Sequence, residues 1–207
     1  AGWDAGAPDV QVLLATDVSA SMLEPAGDDT RLGLVAEGVG TALDLYPSTA
    51  RVGSWSFSSG GTPVWTPGVP IDALETDGDD TQRETLTAAT GALAAGAGGQ
   101  TDLYATARAA YLQAQASYRP DAVNAVVLAT DGGDTAFDGD ALSALLLDLQ
   151  SSADPDRPVA LFLVGLGTDV TDHELRLISE LTGGRHVLAR DPADAAAATL
   201  EAMSRVF

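Results

Sequence analysis

Val10-Gln11-Val12-Leu13-Leu14-Ala15-Thr16-Asp17-Val18-Ser19-Ala20-Ser21 decides the fold. Its first seven residues form a short, nearly continuous apolar run rich in branched side chains. Such a run reads as a strand buried on both faces of a parallel sheet, because helices on either side leave no face for water. The run ends abruptly in a carboxylate and two hydroxyls spaced two residues apart, so the strand delivers polar side chains to its carboxyl end.

Outward from this stretch the same type of run recurs at Val126–Ala129 and Val159–Val164, with further strands expected at 52–57 and 185–189. Val64-Trp65-Thr66 lies between Pro63 and Pro67, which suits an edge position. Helical stripes alternate with these runs: Leu32, Val35, Val39, Leu43 and Tyr46; Leu103, Ala107, Ala110, Tyr111 and Ala114; Leu142, Leu145, Leu146 and Leu149; Leu175, Ile178 and Leu181. Thr81 with Glu84 predicts a capping box opening a helix that runs to Leu93, Gly183-Gly184 predicts a helix stop, and Leu200, Met203 and Phe207 share a C-terminal helix opened by Asp194. The alternation predicts an α/β, Rossmann-like, doubly wound sheet of six strands, mostly parallel with one antiparallel edge strand, and helices on both faces. The 207 residues suit a single domain spanning 1–207. In such sheets ligands bind beyond the carboxyl ends of the strands, near the point where strand order reverses.

Three clusters reach that rim. Asp17-Val18-Ser19-Ala20-Ser21 follows the first strand, and Thr130-Asp131-Gly132-Gly133-Asp134-Thr135 follows the strand ending at Ala129. Between them, Gly98-Gly99-Gln100-Thr101-Asp102 opens a helix. The donors are all oxygen, which suits hard divalent cations such as Mg²⁺, Mn²⁺ or Ca²⁺. Zinc is expected to recruit His or Cys, and the chain has no Cys, while His173 and His186 are distant in sequence. Asp102 and Asp134 read as capping or solvated residues, and Glu24 with Asp28-Asp29 as a solvated loop. Trp55 and Trp65 read as packing residues, His186 as structural and His173 as exposed.

Asp17-x-Ser19-x-Ser21, a Gly-rich loop with Thr101, and a strand ending in Thr130-Asp131-Gly132 together resemble the metal-ion-dependent adhesion site of von Willebrand factor A domains. The resemblance spans essentially the whole chain. It implies that Ser19, Ser21 and Thr101 coordinate a divalent cation, Mg²⁺ before Mn²⁺ or Ca²⁺, through their hydroxyls, and that Asp17 and Asp131 hold it directly or through water. It also implies a protein partner that offers an acidic residue, a monomeric module, and an extracellular or cell-surface location. Ala20 departs from the glycine common at that position, which leaves the donors intact. A narrower resemblance, carried by Tyr118–Leu128 and by Ala189-Arg190-Asp191-Pro192-Ala193-Asp194, is to secreted actinobacterial proteins in which an A-type domain follows a solute-binding-like domain.

Composition excludes several other classes. Thirty acidic residues against ten basic ones give a net charge of −20, a surface that repels phosphate backbones and anionic membranes, so no nucleic-acid partner is expected. No apolar run reaches the ~20 residues that span a bilayer. The opening Ala1-Gly2-Trp3-Asp4 carries no signal-peptide pattern and reads as the start of a processed or excised piece. All ten basic residues are Arg, so a Lys Schiff base is impossible. An aspartyl-nucleophile phosphatase needs a second Asp two residues after the first, where Ser19 stands. Gly53-Ser54-Trp55-Ser56-Phe57 lacks the final Gly of a nucleophile elbow, and there is no phosphate-binding Gly-rich loop ending in Lys. The expectation is therefore a binding module and not an enzyme, the alternatives being a non-adhesive structural domain of a larger multidomain protein, whose metal site serves stability alone, or a metal-dependent hydrolase.

Overall fold

A computed structural model describes residues 9–59, 64–75, 81–93, 101–132 and 139–207. The strands are β1 (Asp9–Asp17), β2 (Pro25–Ala26), β3 (Asp29–Thr30), β4 (Arg51–Phe57), β5 (Trp65–Pro67), β6 (Asp72–Ala73), β7 (Ala122–Thr130), β8 (Ala160–Leu166) and β9 (His186–Ala189). The helices are α1 (Arg31–Leu45), α2 (Gln82–Gly91), α3 (Leu103–Ala116), α4 (Gly139–Ser152), α5 (Asp172–Leu181) and α6 (Ala195–Ser204). The main sheet runs β5-β4-β1-β7-β8-β9. β4, β1, β7, β8 and β9 are mutually parallel, and β5 pairs antiparallel with β4 at the edge. The expected six-stranded path is present. A seventh strand, the two-residue β6, pairs antiparallel with the start of β4 at Arg51 and Val52, while β5 pairs with its end. β2 and β3 form a separate small hairpin.

Strand β1 lies between β4 and β7, and alternation along it feeds two cores. Val10, Val12 and Leu14 pack with α1, α2 and α6 on one face. Leu13 and Ala15 pack with α3, α4 and α5 on the other. Trp55 and Trp65 stack at 5.8 Å between ring centroids and pack against the second core, as expected.

Helix starts follow their local chemistry. Thr30 accepts from the Gly33 N–H at 3.0 Å and caps α1. The Thr81–Glu84 capping box forms in both directions and opens α2, which ends at Gly91, two residues before the expected end. Thr171 caps α5 through the Glu174 N–H, and Gly183 ends that region with a φ of +78°, a conformation that glycine adopts without a Cβ clash. The C-terminal helix is shorter than its hydrophobic periodicity predicts. It stops at Ser204, and Asp194 sits at its N-cap without a side-chain bond. Phe207 lies beyond the helix and sets its ring edge-on to Tyr46, 4.6 Å between centroids. The Tyr46 hydroxyl, on the residue capping α1, donates to the Met203 carbonyl at 2.8 Å and ties α6 to the end of α1.

Candidate metal centre

The parallel pairing of β1 and β7 places Thr16 opposite Ala129. The next residues along each strand, Asp17 on one and Thr130-Asp131 on the other, therefore emerge at the same rim. Thr101 arrives there just ahead of α3, and Ser19 and Ser21 from the turn after β1. All five residues singled out from sequence thus lie at one place. Asp17, Ser19, Thr101 and Asp131 are buried, and Ser21 is half-buried.

A continuous hydrogen-bond chain joins the five. Thr101 Oγ1 donates to Asp17 Oδ2 at 3.0 Å. Asp17 Oδ1 accepts from the Ser19 backbone N–H at 2.8 Å. Ser19 Oγ and Ser21 Oγ lie 3.1 Å apart, and Ser21 Oγ donates to Asp131 Oδ1 at 2.8 Å. Gly132 leaves room for Thr101, since a Cβ there would crowd Thr101 Oγ1 at 3.1 Å. Ala20 is accommodated without strain: it opens a 3-10 turn, Ala20–Leu23, and no residue other than glycine has a positive φ among those described.

Three further residues take part, none of them assigned to the site from sequence as a donor. Thr130 Oγ1 donates to Asp17 Oδ2 at 2.7 Å and also lies 2.9 Å from the Gly132 carbonyl. Arg31, the first residue of α1, donates through Nη1 to Asp131 Oδ2 and through Nη2 to Glu24 Oε2, both at 2.6 Å. Glu24 is exposed, as expected, and also has Arg31 as a partner. A cation in the first turn of a helix runs against the helix dipole, and that mismatch is the signal in the sequence that points to a specific carboxylate for Arg31. Asp102 stands at the N-cap of α3 but makes no side-chain cap bond. Asp134, Thr135, Gly133 and the Gly98-Gly99-Gln100 segment lie outside the described residues.

The electrostatics favour a cation. Burial pushes the Asp17 carboxyl above its ordinary 3.8; the bonds from Thr130 and Ser19 pull it back, and the negative Asp131 adds to the rise. A desolvated carboxylate with a second one close by gains from a positive ion among them. Two carboxylates and three hydroxyls form a hard, all-oxygen donor set, so the residues present fit a hard divalent cation. Among the described residues no group of three or more His, Cys, Asp or Glu could hold a metal, so any ion here depends on the hydroxyls as much as on the carboxylates.

No family model matches the chain. It is 28% identical over 168 residues to the uncharacterized protein Rv1836c of Mycobacterium tuberculosis strain H37Rv, covering 80% of this chain and 24% of that protein. The chain thus spans about a quarter of that relative's length. Among solved structures it superposes on a von Willebrand factor type A protein from Catenulispora acidiphila with a TM-score of 0.72 and 21% identity, covering 97% of this chain and 43% of the other. The proximal thread matrix protein 1 of the mussel byssus, in a structure described as having a zinc-occupied adhesion-site motif, gives 0.65 and 14%, over 96% of this chain and 48% of that one. The pilus adhesin SpaC of Lactobacillus rhamnosus GG gives 0.67 and 17%, over 98% and 31%. With its sheet order, its two helical layers and these superpositions together, the chain has the von Willebrand factor A fold.

Proposed function

We propose that this chain is a metal-dependent protein-binding module in which Asp17, Ser19, Ser21, Thr101 and Asp131 hold a divalent cation, Mg²⁺ by preference. The observation that carries the reading is the convergence of five oxygen-bearing side chains from three separate segments at the carboxyl end of β1 and β7, linked by one hydrogen-bond chain. When bound, the ion supplies a Lewis-acidic centre able to take a carboxylate from a partner protein. The chain's own residues do the positioning. Thr130 and Thr101 fix Asp17 from one side, Ser19's own N–H fixes it from the other, and Asp131 orients the Ser21 hydroxyl. The zinc in the mussel neighbour's motif makes ion identity a question for competition titration; the donor chemistry here favours Mg²⁺, Mn²⁺ or Ca²⁺.

In this reading the module binds a partner and is not an enzyme. It acts as a monomer at the cell surface or outside the cell, as part of a longer secreted actinobacterial protein. The pilus adhesin among its structural neighbours is in keeping with that setting, and no helix among the described residues is long and apolar enough to cross a membrane. The test is calorimetric titration of the EDTA-stripped chain with Mg²⁺, Mn²⁺, Ca²⁺ and Zn²⁺, beside Ser19→Ala. One saturable site that is lost in the variant is expected; parent and variant binding alike would remove the metal assignment.

A further inference from the structure

Arg31 is the group at the rim that the metal reading leaves unused. Its guanidinium is divided between two carboxylates of different standing. Nη1 meets Asp131, whose side chain is fully buried, and Nη2 meets Glu24, whose side chain is 58% exposed. Arg31 itself is 15% exposed, and its Nε is buried with no hydrogen-bond partner among the described residues. The backbone reinforces the contact, since the Arg31 N–H donates to the Glu24 carbonyl at 3.2 Å. Asp131 is thereby split: Oδ1 receives the Ser21 hydroxyl and Oδ2 the guanidinium.

We propose that Arg31 is a positioning residue that tunes the metal site: it neutralises Asp131 while the rim is metal-free and, by keeping a positive charge on that carboxylate, weakens the hold on a divalent cation. The inference rests on the metal reading above. A carboxylate buried without a countercharge destabilises the fold. Arg31 supplies that countercharge without a metal, so the rim is formed before any ion arrives. The same charge repels an incoming divalent ion, which feels twice the effect a monovalent ion would. Glu24, at the solvent side, draws off part of that charge and holds the guanidinium in one orientation.

The experiment uses the full chain stripped with EDTA, titrated calorimetrically with Mg²⁺ and melted with and without it. Arg31→Gln keeps a donor for Asp131 but removes the charge, and Arg31→Lys keeps the charge without the planar fork. Arg31→Gln is expected to bind Mg²⁺ about tenfold more tightly, the effect of one unit charge on a nearby divalent ion under water-like screening. It is also expected to melt below the parent in EDTA and to gain more than the parent when Mg²⁺ is added. Arg31→Lys should bind within about twofold of the parent, since its charge is retained. Should Arg31→Gln fail to fold in EDTA, its recovery by Mg²⁺ decides: the ion is expected to supply the missing countercharge to Asp131 and restore the folded circular dichroism, and a variant that stays unfolded in saturating Mg²⁺ overturns the role of Arg31. A parent that binds Mg²⁺ with Arg31→Gln unchanged, or both Arg31 variants weakened alike, overturns the role of Arg31 and leaves the metal reading standing. Folded parent and folded variant that both ignore Mg²⁺ overturn the two together.

Discussion

Asp17→Asn separates what the rim costs the fold from what it holds. Asp17 is wholly buried and takes three hydrogen bonds, from the Ser19 N–H, Thr101 and Thr130. Its raised pKa means that the folded, metal-free chain holds the Asp17 proton more tightly than the unfolded chain does. Stability from this group is therefore highest at acid pH and falls as pH rises from the ordinary value through the raised one. Above the raised value the metal-free parent carries that penalty in full. Asparagine keeps the shape. Its carbonyl can accept the Ser19 N–H and its amide can donate to the threonine hydroxyls, with Thr130 turning its own hydrogen toward the Gly132 carbonyl, 2.9 Å away. Replacing the buried charge by this amide should leave the metal-free domain stabilised by about 1 kcal/mol at neutral pH, or about 2–4 °C in melting temperature for a chain of this size. With Mg²⁺ at a hundred times its dissociation constant the parent gains about 2.7 kcal/mol, or about 5–11 °C, and the variant gains little. Melting followed by circular dichroism in EDTA and in excess Mg²⁺ should therefore reverse the order of the two proteins. The difference seen in EDTA should shrink as pH is lowered toward the ordinary carboxylate value, because the folded chain takes up the Asp17 proton more readily than the unfolded one. A variant that melts several degrees below the parent in EDTA, or one that Mg²⁺ stabilises as much as the parent, refutes the reasoning.

Gly132→Ala places a methyl 3.1 Å from Thr101 Oγ1; the fold should survive while Mg²⁺ affinity drops several-fold by titration, and an unchanged affinity would mean that Thr101 has room to spare. Tyr46→Phe leaves the Met203 carbonyl without its buried donor and should cost about 1–2 kcal/mol of stability in urea unfolding, with Mg²⁺ affinity untouched because the bond links α1 to α6 away from the rim.

Much of this architecture could be read from the chain because a parallel sheet writes itself plainly. Central strands are apolar runs, and the first polar residues after them mark the rim, which is how Asp17 and Asp131 could be paired across more than a hundred residues. The oxygen donors were legible for the same reason. What escaped depends on contacts that periodicity does not encode. Thr130 reaches Asp17 only because β1 and β7 pair in one particular register. The exposure of Glu24 is legible in its loop, but its bond to Arg31 is not, since that partner is a side chain seven positions away across the β2–β3 hairpin. The two residues of β6 are too few to carry an alternation. At the C-terminus the helical stripe runs on through Phe207, but the helix stops at Ser204 and the exposed ring lies edge-on to Tyr46, a contact that periodicity does not encode.

The placement of β1 between β4 and β7 has a consequence for how the rim comes into being. Its donors are contributed by segments around residues 17–21, 101 and 130–131, so β1 must find β7, more than a hundred residues on, before the full set is assembled. No peptide cut from a single segment carries more than a fragment of the set. An ion that needs all five would discriminate between a finished sheet and every partial one. Its arrival would then be a late event that reports on the integrity of the centre of the sheet, and loss of register between β1 and β7 alone would disperse it.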